Sequence, residues 1–353
     1  MRAGGLCRSG TMTRESEKRE YKKGMRRALV TGGGGFVGLA VVRRLRARGI
    51  ETTVVGRHRY PAVEELGARC LVGDIRDPEF MTRAAAGHDT VFHVAAKAGI
   101  WGSFADYYSV NVTGTENVLG ACRSQGVRSL IHTSTPSVVF AGRDIEGGDE
   151  TLPYSAKPLC HYAATKIIAE RMVLAANSET LRTTALRPHL VWGPGDTQII
   201  PRLLERGRQG RLRMVGSGLN RVDISYIDNV ADAHFLAAEN LAGPGTAAGE
   251  VFFISQGEPV VLWEWINALF ARAGVKPVSR RVPLARARRA GRLLEVLFAL
   301  LHLPGEPPMT RFLAEQLALS HWFSIAKARN LLAYTPRVPN SAGMDRLVAW
   351  LKA

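Results

Sequence analysis

Short apolar runs recur along the first half of the chain, and the stretches between them have the polar and apolar spacing of helices. The runs predict strands at residues 27–31, 51–55, 68–72, 90–96, 129–133 and 181–191. The helical stretches end at Gly49, Gly67, Gly87 and Gly126, where glycine readily adopts the left-handed conformation that stops a helix. Regular alternation of this kind predicts an α/β fold with a doubly wound parallel sheet.

The pattern changes at both ends of the chain. Beyond residue 192, proline and glycine become frequent and the alternation weakens, so we expect a sheet domain over residues 25–192 and a smaller, mainly substrate-binding part over 193–353. The apolar run at 251–254 and the C-terminal helix are candidates to return to the main sheet. Residues 1–24 carry seven Arg or Lys against three Glu without apolar periodicity, which predicts a disordered basic tail. Translation from Met25 is a further hypothesis, which the mass of the N-terminal peptide would test.

Three glycines after the first run have a spacing suited to a phosphate. They follow a strand and open a helix, so backbone N–H groups and the helix dipole can face an anion. The pattern predicts a Rossmann dinucleotide site at Gly32, Gly35, Phe36, Val37 and Gly38. Gly32 is expected to permit the tight turn, Gly35 the approach of a pyrophosphate, and Gly38 the close packing of the helix.

The ends of the next two strands bear on the choice of cofactor. A carboxylate usually binds the adenosine ribose after the second strand, whereas this chain has Arg57 and Arg59 there. Two guanidinium groups suit a 2′-phosphate, so NADP(H) is predicted over NAD(H); the alternative is that both are solvated loop charges. Asp74 and Ile75 end the third strand beside the expected adenine. Asp74 either accepts a hydrogen bond from the adenine amine or caps the next helix.

A tyrosine, a lysine and a threonine form the candidate catalytic group. Tyr162 and Lys166 are four residues apart on a predicted helix and so share a face. A nearby ammonium is expected to lower the pKa of Tyr162, which then exchanges a proton with a carbonyl oxygen during hydride transfer. Hydroxyls at 133–137 end the fifth strand, where open α/β sheets bind ligands. Thr135, with Ser134 as second choice, is the candidate to hold the substrate oxygen; otherwise these hydroxyls bond their own backbone.

The composition is that of a globular protein with an excess of basic residues. The chain has 353 residues, 46% of them hydrophobic, and a formal net charge of +16. It has no recognisable nucleic-acid module, so nucleic acid is not an expected partner. The first residues are polar and charged, and no apolar run is long enough to span a bilayer, so we expect a cytoplasmic protein. Cys7, Cys70, Cys122 and Cys160 lack paired or metal-type spacing, which indicates free thiols and no metal site.

Two apolar stretches in the C-terminal part bear on the substrate. Residues 293–301 are apolar on nearly every face and follow a basic cluster at 276–292, and a second stretch covers 312–319. Three interpretations stay open: buried core, a lid or tunnel for a long alkyl chain, or an interfacial helix resting on lipid with its arginines toward the headgroups. Arg221 either binds an anionic group such as a substrate carboxylate or pairs with Asp223.

Several segments, taken in order, resemble the extended short-chain dehydrogenase/reductase superfamily over residues 25–352. They are Thr31-Gly32-x-x-Gly35-Phe36-x-Gly38, Gly73-Asp74, His93-Val94-Ala95-Ala96, Asn111-Val112-x-Gly114-Thr115, Thr133–Thr135, Tyr162-x-x-x-Lys166, Leu186-Arg187-Pro188 and Tyr226-Ile227-Asp228-Asn229-Val230-Ala231. The resemblance implies that Tyr162 is the proton donor or acceptor and that Lys166 holds the nicotinamide ribose. It also implies that Ala95, Ala96, Pro188 and Val191 line the cofactor and that Asn111 holds a backbone kink or a water near Lys166.

Further segments resemble the 3β-hydroxysteroid dehydrogenase branch of this superfamily, namely residues 95–102, 106–112 and 188–196. They are most similar to bacterial members that use NADPH to reduce long-chain 2-alkyl-3-oxoalkanoates to 2-alkyl-3-hydroxyalkanoates in olefin biosynthesis. The resemblance therefore implies NADPH-dependent reduction of a hydrophobic ketone. Alternatives are a 3β-hydroxysteroid or sterol dehydrogenase, a nucleotide-sugar epimerase or dehydratase, and a non-enzymatic cofactor sensor, against which the Tyr162 and Lys166 pair argues. A homodimer, and peripheral contact with a membrane or with other pathway enzymes, are further expectations.

Overall fold

The computed structural model describes residues 24–352. In that range the strands are β1 (Arg27–Thr31), β2 (Glu51–Gly56), β3 (Arg69–Val72), β4 (Thr90–His93), β5 (Ser129–Thr133), β6 (Ile145–Gly148), β7 (Arg182–Pro188), β8 (Val191–Trp192), β9 (Met214–Val215), β10 (Arg221–Val222), β11 (Ser225–Tyr226), β12 (Val251–Ile254), β13 (Val260–Val261), β14 (Arg281–Val282) and β15 (His321–Phe323). The tail predicted over residues 1–24 lies, except for Gly24, outside the described residues, and so does Cys7.

The helices lie between and after these strands. They are α1 (Phe36–Ala47), α2 (Pro61–Glu64), α3 (Pro78–Ala85), α4 (Phe104–Tyr108), α5 (Gly114–Ser124), α6 (His161–Ala175), α7 (Ile199–Arg208), α8 (Ile227–Ala242), α9 (Leu262–Arg272), α10 (Leu284–Leu300), α11 (Arg311–Ala318), α12 (Ala326–Leu332) and α13 (Asn340–Lys352). A π-helical turn at Ser109–Thr113 joins α4 to α5, and a 3-10 turn spans Pro136–Val138. Within residues 24–352, no helix is long and apolar enough to cross a membrane.

Seven strands form one sheet in the order β12-β7-β5-β4-β1-β2-β3. Every pairing in it is parallel. The doubly wound α/β fold predicted from the alternation is confirmed, and the run at 251–254 joins the main sheet as β12. The strand order reverses between β1 and β4, and dinucleotides bind in the crevice at such a switch point.

Two of the predicted strands are shorter in the structure. β4 ends at His93 rather than at 96, and β7 ends at Pro188 rather than at 191. Beyond Pro188 the chain bends through Leu190, whose φ is 39°, and Val191–Trp192 pairs with β11 in a separate two-stranded sheet. A left-handed residue cannot continue an extended strand, so the main sheet stops where the cleft described below begins.

Both faces of the main sheet are covered by helices. Alternate residues of a strand point to opposite faces, so Ala28 and Val30 pack on the α1 and α8 side while Leu29 packs with α3 and α5. Strands that are buried on both faces tend to form nearly continuous apolar runs. This explains why the sequence shows continuous apolar runs rather than alternating ones.

The C-terminal part is built around a small sheet with the order β13-β10-β15-β6. β6 comes from the segment before residue 192, whereas β12 comes from the segment after it. Each part therefore contributes a strand to the sheet of the other. The C-terminal helix α13 packs beside β8 and β11 rather than in the main sheet: a Cβ added at Gly343 would lie 2.6 Å from Cδ2 of Tyr226.

Candidate active site

The glycine turn after β1 leaves no room for side chains. Gly32 has a φ of +69°, and a Cβ added to it would lie 2.8 Å from the backbone of Ala95. A Cβ on Gly38 would lie 2.2 Å from the carbonyl oxygen of Gly32, so the first turn of α1 rests directly on the glycine turn. The first N–H groups of a helix have no intrahelical acceptor. Here they remain available to a phosphate.

A cleft of about 950 Å³ runs along the carboxyl ends of the main strands from the glycine turn. The residues predicted for the site that line it are Gly32, Gly35, Phe36, Val37, Gly38, Arg57, Asp74, Ile75, Ala95, Ala96, Thr135, Tyr162, Pro188 and Val191. Lys166 and Arg59, which were also predicted for the site, do not line the cleft. The cleft thus joins a helix start with available N–H groups, an end with arginines and an end with a tyrosine, an arrangement that fits an extended dinucleotide.

The arginine-bearing end differs from the sequence expectation. Arg76 binds the Asp74 carboxylate through Nε (3.0 Å) and Nη2 (2.6 Å), and this hydrogen bond lowers the pKa of Asp74. Arg57 and Arg76 both line the cleft. Arg59 donates from Nε to Glu64 (2.9 Å) and does not line it. The two guanidinium groups at this end are therefore those of Arg57 and Arg76, and Arg76 was not predicted although it follows Asp74 closely.

The suggestion that Asp74 caps the next helix is wrong. Asp77 caps α3, because its Oδ1 accepts hydrogen bonds from the backbone N–H groups of Glu79 and Phe80, both at 3.0 Å. Asp74 precedes the helix by too many residues to reach those donors, and its Oδ1 accepts instead from the N–H of Arg76 at 2.9 Å.

Tyr162 lies in the first turn of α6, and its phenol contacts the Thr135 hydroxyl. Desolvation raises the pKa of Tyr162 to about 12, while a hydrogen bond with Thr135 partly opposes that shift. Thr135 also accepts a hydrogen bond from the N–H of Ser137 at 3.2 Å, so its hydroxyl stabilises the turn as well. Without a cofactor, Tyr162 is a neutral phenol at pH 7, and the expected lowering of its pKa by Lys166 is not found.

Lys166 lies beneath the cleft rather than in its wall. Its ammonium donates to the carbonyl oxygen of Thr133 (2.7 Å) and to Nε2 of His132 (2.9 Å). Burial lowers the pKa of Lys166 to about 7, and the charge of Glu170 opposes this shift. The lysine is therefore held by the end of β5, one turn along α6 from Tyr162.

A group of buried histidines surrounds this lysine. Desolvation holds the pKa of His132 well below its usual value, and the pKa of His93 is lowered to about 3 for the same reason. Both imidazoles are neutral, so His132 accepts through Nε2 and carries its proton on Nδ1, which has no partner among the described residues. On the other side, His234 shares a 2.8 Å hydrogen bond with the Thr133 hydroxyl.

Asn111 stabilises the backbone next to the cleft. It lies in the π-helical turn, where its Oδ1 accepts from the N–H of Lys97 (2.7 Å) and its Nδ2 donates to the carbonyl oxygen of Lys97 (3.1 Å). Nδ2 also donates to the Thr165 hydroxyl at 3.0 Å. The asparagine thus ties the loop after β4 to α6, which agrees with a role in holding a backbone kink.

A buried ion pair anchors the helix that carries Tyr162. Arg187 of β7 donates to Glu170 of α6 from Nε (3.0 Å) and Nη2 (2.6 Å), and the Tyr154 phenol donates to the same carboxylate at 2.7 Å. Hydrogen bonds from Arg187 hold the pKa of Glu170 below its usual value despite its burial. Paired in this way, the two charges fix the position of α6 relative to the sheet.

A second cavity of about 650 Å³ is lined in part by Tyr107. The Tyr107 ring is 6.5 Å from the Tyr162 ring, and its hydroxyl donates to the carbonyl oxygen of Trp101 (3.1 Å). The apolar residues that line the cavity are Ile100, Trp101, Pro158, Leu159, Ala164, Phe298, Ala299 and Leu303. Trp101 and Phe298 meet edge to face across it, with 6.4 Å between their ring centroids.

The two apolar stretches of the C-terminal part have different surroundings. In the stretch 312–319, Phe312 and Ala318 are buried, and Phe312 also lines the cleft. In the stretch 293–301, Phe298 and Ala299 line the second cavity, while Leu293 is 69% exposed. Buried core is therefore the wrong interpretation for residues 293–301, since Phe298 and Ala299 line a cavity and Leu293 is open to solvent.

Arg221 does not take either of its expected roles. It lies on the small sheet, where its Nη2 donates to the carbonyl oxygen of Pro259 (3.2 Å), and it lines neither the cleft nor the second cavity. Asp223 is buried, and its Oδ2 accepts from the N–H of Phe323 (2.7 Å) instead of pairing with Arg221. Residues two apart in an extended strand point to the same side, which would bring Arg221 and Asp223 together. The strand β10 ends at Val222, however, and the side chain of Asp223 lies in the core.

Lys97 lines the cleft but was not predicted as a site residue. Its ammonium lies 3.3 Å from Oδ2 of Asp106 and 5.3 Å from the centroid of the Tyr107 ring. It lines the cleft where the cleft approaches the second cavity. The signal in the sequence was its place directly after Ala95 and Ala96.

Within residues 24–352 no cluster of His, Cys, Asp or Glu has the arrangement of a metal site, and Cys70, Cys122 and Cys160 are free thiols.

Comparisons with known proteins agree with this arrangement. The model of the 3-beta hydroxysteroid dehydrogenase/isomerase family matches residues 29–285. A 2-alkyl-3-oxoalkanoate reductase of Stenotrophomonas maltophilia (strain K279a) is 50% identical over 91% of this chain and 98% of its own length. A decarboxylating sterol-4-alpha-carboxylate 3-dehydrogenase of Mus musculus is 33% identical over 92% of this chain and 90% of its own.

Solved structures share the fold over nearly the whole chain. The crystal structure of gox2253 superposes with a TM-score of 0.76 at 30% identity, covering 92% of this chain and 97% of its own. A double mutant of DesIV, the dTDP-glucose 4,6-dehydratase of Streptomyces venezuelae, has NAD bound and superposes with a TM-score of 0.73 at 25% identity, covering 92% of this chain and 96% of its own. On this match of sequence, fold and cleft, the chain belongs to the 3-beta hydroxysteroid dehydrogenase/isomerase family, whose members are NAD(P)-dependent oxidoreductases acting on hydroxyl and keto groups.

Proposed function

We propose that the protein uses NADPH to reduce a hydrophobic ketone, specifically a long-chain 2-alkyl-3-oxoalkanoate to the 2-alkyl-3-hydroxyalkanoate. The observation that carries the proposal is that Tyr162, which lines the cleft, has its ring 6.5 Å from that of Tyr107, which lines the second cavity. A ketone carbon next to Tyr162 thus has a dinucleotide-sized cleft on one side and space for alkyl chains on the other. The relative from Stenotrophomonas maltophilia, 50% identical, carries the name of this activity and supports the assignment.

The side chains of the site suit reduction. A nicotinamide cofactor supplies the hydride to the carbonyl carbon when it is bound. Tyr162 donates the phenolic proton to the carbonyl oxygen, so the C=O bond becomes CH–OH and the phenolate is left to regain a proton. A phenol whose pKa is about 12 keeps this proton at neutral pH until the oxygen becomes basic during the transfer. Thr135 hydrogen-bonds the phenol and the developing alkoxide, and Lys166 stabilises the phenolate when its ammonium is turned toward the cleft.

The carboxylate of a 3-oxo acid requires a cation near the reacting carbon. Lys97 offers one beside Tyr107, and its partner Asp106 is exposed, so that ion pair is weak. The carboxylate would lie at the junction of the two cavities, with the 2-alkyl branch and the rest of the acyl chain in the second one. A cavity of about 650 Å³ is in the usual range for binding a small molecule.

The preference for NADPH rests on Arg57 and Arg76. Both line the end of the cleft opposite Tyr162, and no carboxylate follows β2 to bind the ribose hydroxyls. Arg57 has no ion-pair partner among the described residues, so its guanidinium is available for a 2′-phosphate. The predicted homodimer remains an expectation, which light scattering of the purified protein would test.

The test is the consumption of reduced cofactor by the purified protein. NADPH and NADH are offered separately with a synthetic long-chain 2-alkyl-3-oxo acid, with its methyl ester, and with a 3-oxosteroid. Rapid oxidation of NADPH with the free acid, and slower oxidation with the steroid, is the expected result. No oxidation with the acid, under conditions where NADPH binds, would overturn the proposal.

A 3β-hydroxysteroid or sterol dehydrogenase is the second candidate. It is favoured by the 33% identity to the sterol-4-alpha-carboxylate 3-dehydrogenase, whose substrate name also combines a large apolar body with a carboxylate. The chemistry at Tyr162 would be the same, run toward oxidation. Turnover of a 3β-hydroxysteroid with oxidised cofactor, together with no turnover of the acyclic acid, would assign the protein to this activity.

A further inference from the structure

One face of α10 is exposed and has an unusual order of side chains. Leu293, Val296, Leu297 and Leu300 recur every three or four residues and therefore form one stripe. Leu293 is 69% exposed and Leu300 is 72% exposed. Leu301 and Leu303, just beyond the helix, are exposed too. We call these six residues the α10 stripe. Large apolar side chains grouped in this way on a surface mark a contact with something apolar.

Arginines precede the α10 stripe on the same helix. Arg286 and Arg289 lie seven and four residues before Leu293, which places them on the face of the stripe, one and two turns toward the start of α10. Arg292 lies beside them and is exposed like both. Within residues 24–352 these three arginines form no ion pair. The exposed surface of α10 is therefore cationic in its first half and apolar in its second half.

The acidic residues of this region do not reduce that charge. Glu295, the acidic residue of α10, is largely buried and binds Nε of Arg311 (2.7 Å). Glu315 of α11 binds Nε of Arg288 (2.8 Å) in the same way. Arg286, Arg289 and Arg292 therefore keep their charge on the exposed surface of α10, which also carries the α10 stripe.

We propose that α10 docks the protein on an anionic phospholipid surface. Its second half would enter the boundary between headgroups and acyl chains, while Arg286, Arg289 and Arg292 bind phosphates around it. A helix with a basic segment and an apolar face lies in the plane of the interface rather than crossing it. A docked protein partner would require acidic side chains opposite the arginines, whereas an anionic bilayer supplies both the charge and the apolar phase within one surface.

The second cavity suggests what the docking is for. Phe298 and Ala299 of α10 line this cavity together with Leu303 of the α10 stripe, so the cavity lies next to the stripe. A long-chain substrate dissolved in the lipid would reach the cavity without passing through water. This use rests on the proposed function, whereas the docking itself does not.

The test measures binding of the full chain to vesicles by co-sedimentation. Vesicles of phosphatidylcholine alone are compared with vesicles that also contain phosphatidylglycerol, at low and high salt. We expect the wild type to bind the anionic vesicles and to release from them as salt rises. The double variant Leu297→Asp/Leu300→Asp should bind at least tenfold more weakly, and Arg286→Glu/Arg289→Glu should lose the preference for phosphatidylglycerol.

Matched controls distinguish the effect of changing α10 from the effect of adding negative charge elsewhere on the surface. Leu219→Asp changes a leucine that is 69% exposed elsewhere, and Arg208→Glu changes an exposed arginine of α7; both should bind as the wild type does. NADPH binding by each variant shows that the fold is intact. Equal vesicle binding by wild type and α10 variants would overturn the proposal, as would absence of binding by the wild type. A change in oligomeric state of the α10 variants without a change in vesicle binding would assign the stripe to a protein interface and also overturn it.

Discussion

The ammonium of Lys166 lies 2.9 Å from Nε2 of His132, and both groups are buried beneath the cleft. The neutral imidazole of His132 accepts this hydrogen bond, and the ammonium of Lys166 donates it. Every hydrogen bond that the ammonium donates favours its charged form. The pKa of about 7 that burial leaves to Lys166 is therefore sensitive to its acceptors, the imidazole of His132 and the carbonyl of Thr133.

Removing the imidazole acceptor should lower the pKa of Lys166. In His132→Leu the ammonium loses a hydrogen bond in a site with little solvent, so its pKa should fall below that of the wild type. NMR titration of lysine labelled at Cε measures this directly, without substrate or cofactor. The alkaline fall of kcat should begin at lower pH in the same variant if Lys166 acts as an ammonium. His132→Gln retains an acceptor, so the pKa of Lys166 in this variant should lie between its values in the wild type and in His132→Leu.

His88→Leu is the matched control, since this half-buried histidine lies at the amino-terminal edge of the sheet. The pKa of Lys166 in His88→Leu should equal that in the wild type. An unchanged Lys166 pKa in His132→Leu would show that the 2.9 Å contact does not stabilise the ammonium.

Tyr162→Phe should lose most of the turnover while keeping the cofactor. The phenylalanine retains the ring that lines the cleft but has no proton to donate, and general acid catalysis contributes about 10²- to 10⁴-fold. Single-turnover rates and NADPH binding by fluorescence separate the two effects. Tyr108→Phe, an exposed position in α4 outside the cleft, should leave both unchanged. Turnover of Tyr162→Phe within a few-fold of the wild type would exclude the tyrosine as proton donor.

Arg57→Ala should weaken NADPH much more than NADH. A charge-assisted hydrogen bond to a 2′-phosphate contributes about 1.5 to 3 kcal/mol, which corresponds to roughly 10- to 100-fold in KM. NADH has no such phosphate, so its KM should change little. Arg59→Ala removes a neighbouring arginine that binds Glu64 instead, and it should behave as the wild type. The measurement is KM for each cofactor at saturating substrate; equal effects on both cofactors would contradict a 2′-phosphate contact.

Lys97→Met should discriminate between an acid and its ester. Methionine keeps the apolar stem that packs over Tyr107 but lacks the charge. We expect KM for the 2-alkyl-3-oxo acid to rise about tenfold, and KM for the methyl ester to stay nearly constant. Lys97→Arg should recover much of the preference for the acid. A parallel rise in KM for acid and ester would mean that Lys97 shapes the cleft without binding the carboxylate.

Asp223 should make the stability of the protein depend on pH. Burial raises the pKa of this carboxyl to about 7, compared with its usual 3.8 in an unfolded chain. Between these values the folded state binds more protons than the unfolded state, so the contribution of Asp223 to the free energy of unfolding falls as pH rises toward about 7, and it levels off above that.

Asp223→Asn is the variant that isolates this dependence, because the amide oxygen still accepts from the N–H of Phe323. We expect its urea midpoint, relative to that of the wild type, to rise between about pH 5 and pH 7 and then to stay level. The comparison of the two proteins cancels the contributions of other groups, including Lys166. A difference that is constant over this range would show that the carboxyl titrates normally in the folded state.

Much of the fold and of the cofactor end of the cleft followed from local pattern. A strand buried on both faces is mostly apolar, and a turn with Gly32 in the left-handed region strains any other residue, so both features can be recognised in the sequence. The strands of the main sheet, their parallel arrangement and the family could therefore be predicted. The residues that line the cleft near the glycine turn follow directly from the strand ends for the same reason.

Contacts between distant segments decided the rest. Arg59 pairs with Glu64, and Arg76 rather than Arg59 lines the cleft together with Arg57. This arrangement depends on how the loop after β2 packs against the loop after β3. The direction of Lys166 depends on His132, 34 residues away on another element. Which face of α10 is buried, and which is open, is set by packing against α11 and the segment around Trp101.

By itself, then, the sequence determined the α/β sheet, the dinucleotide turn and the family, because backbone geometry and burial act on each short segment separately. The tertiary structure alone decided which cations face the cleft, where the Lys166 ammonium lies, and that one apolar segment is half cavity wall and half open surface. Side-chain direction and charge pairing depend on neighbours that are far apart in the chain, and no local pattern records them.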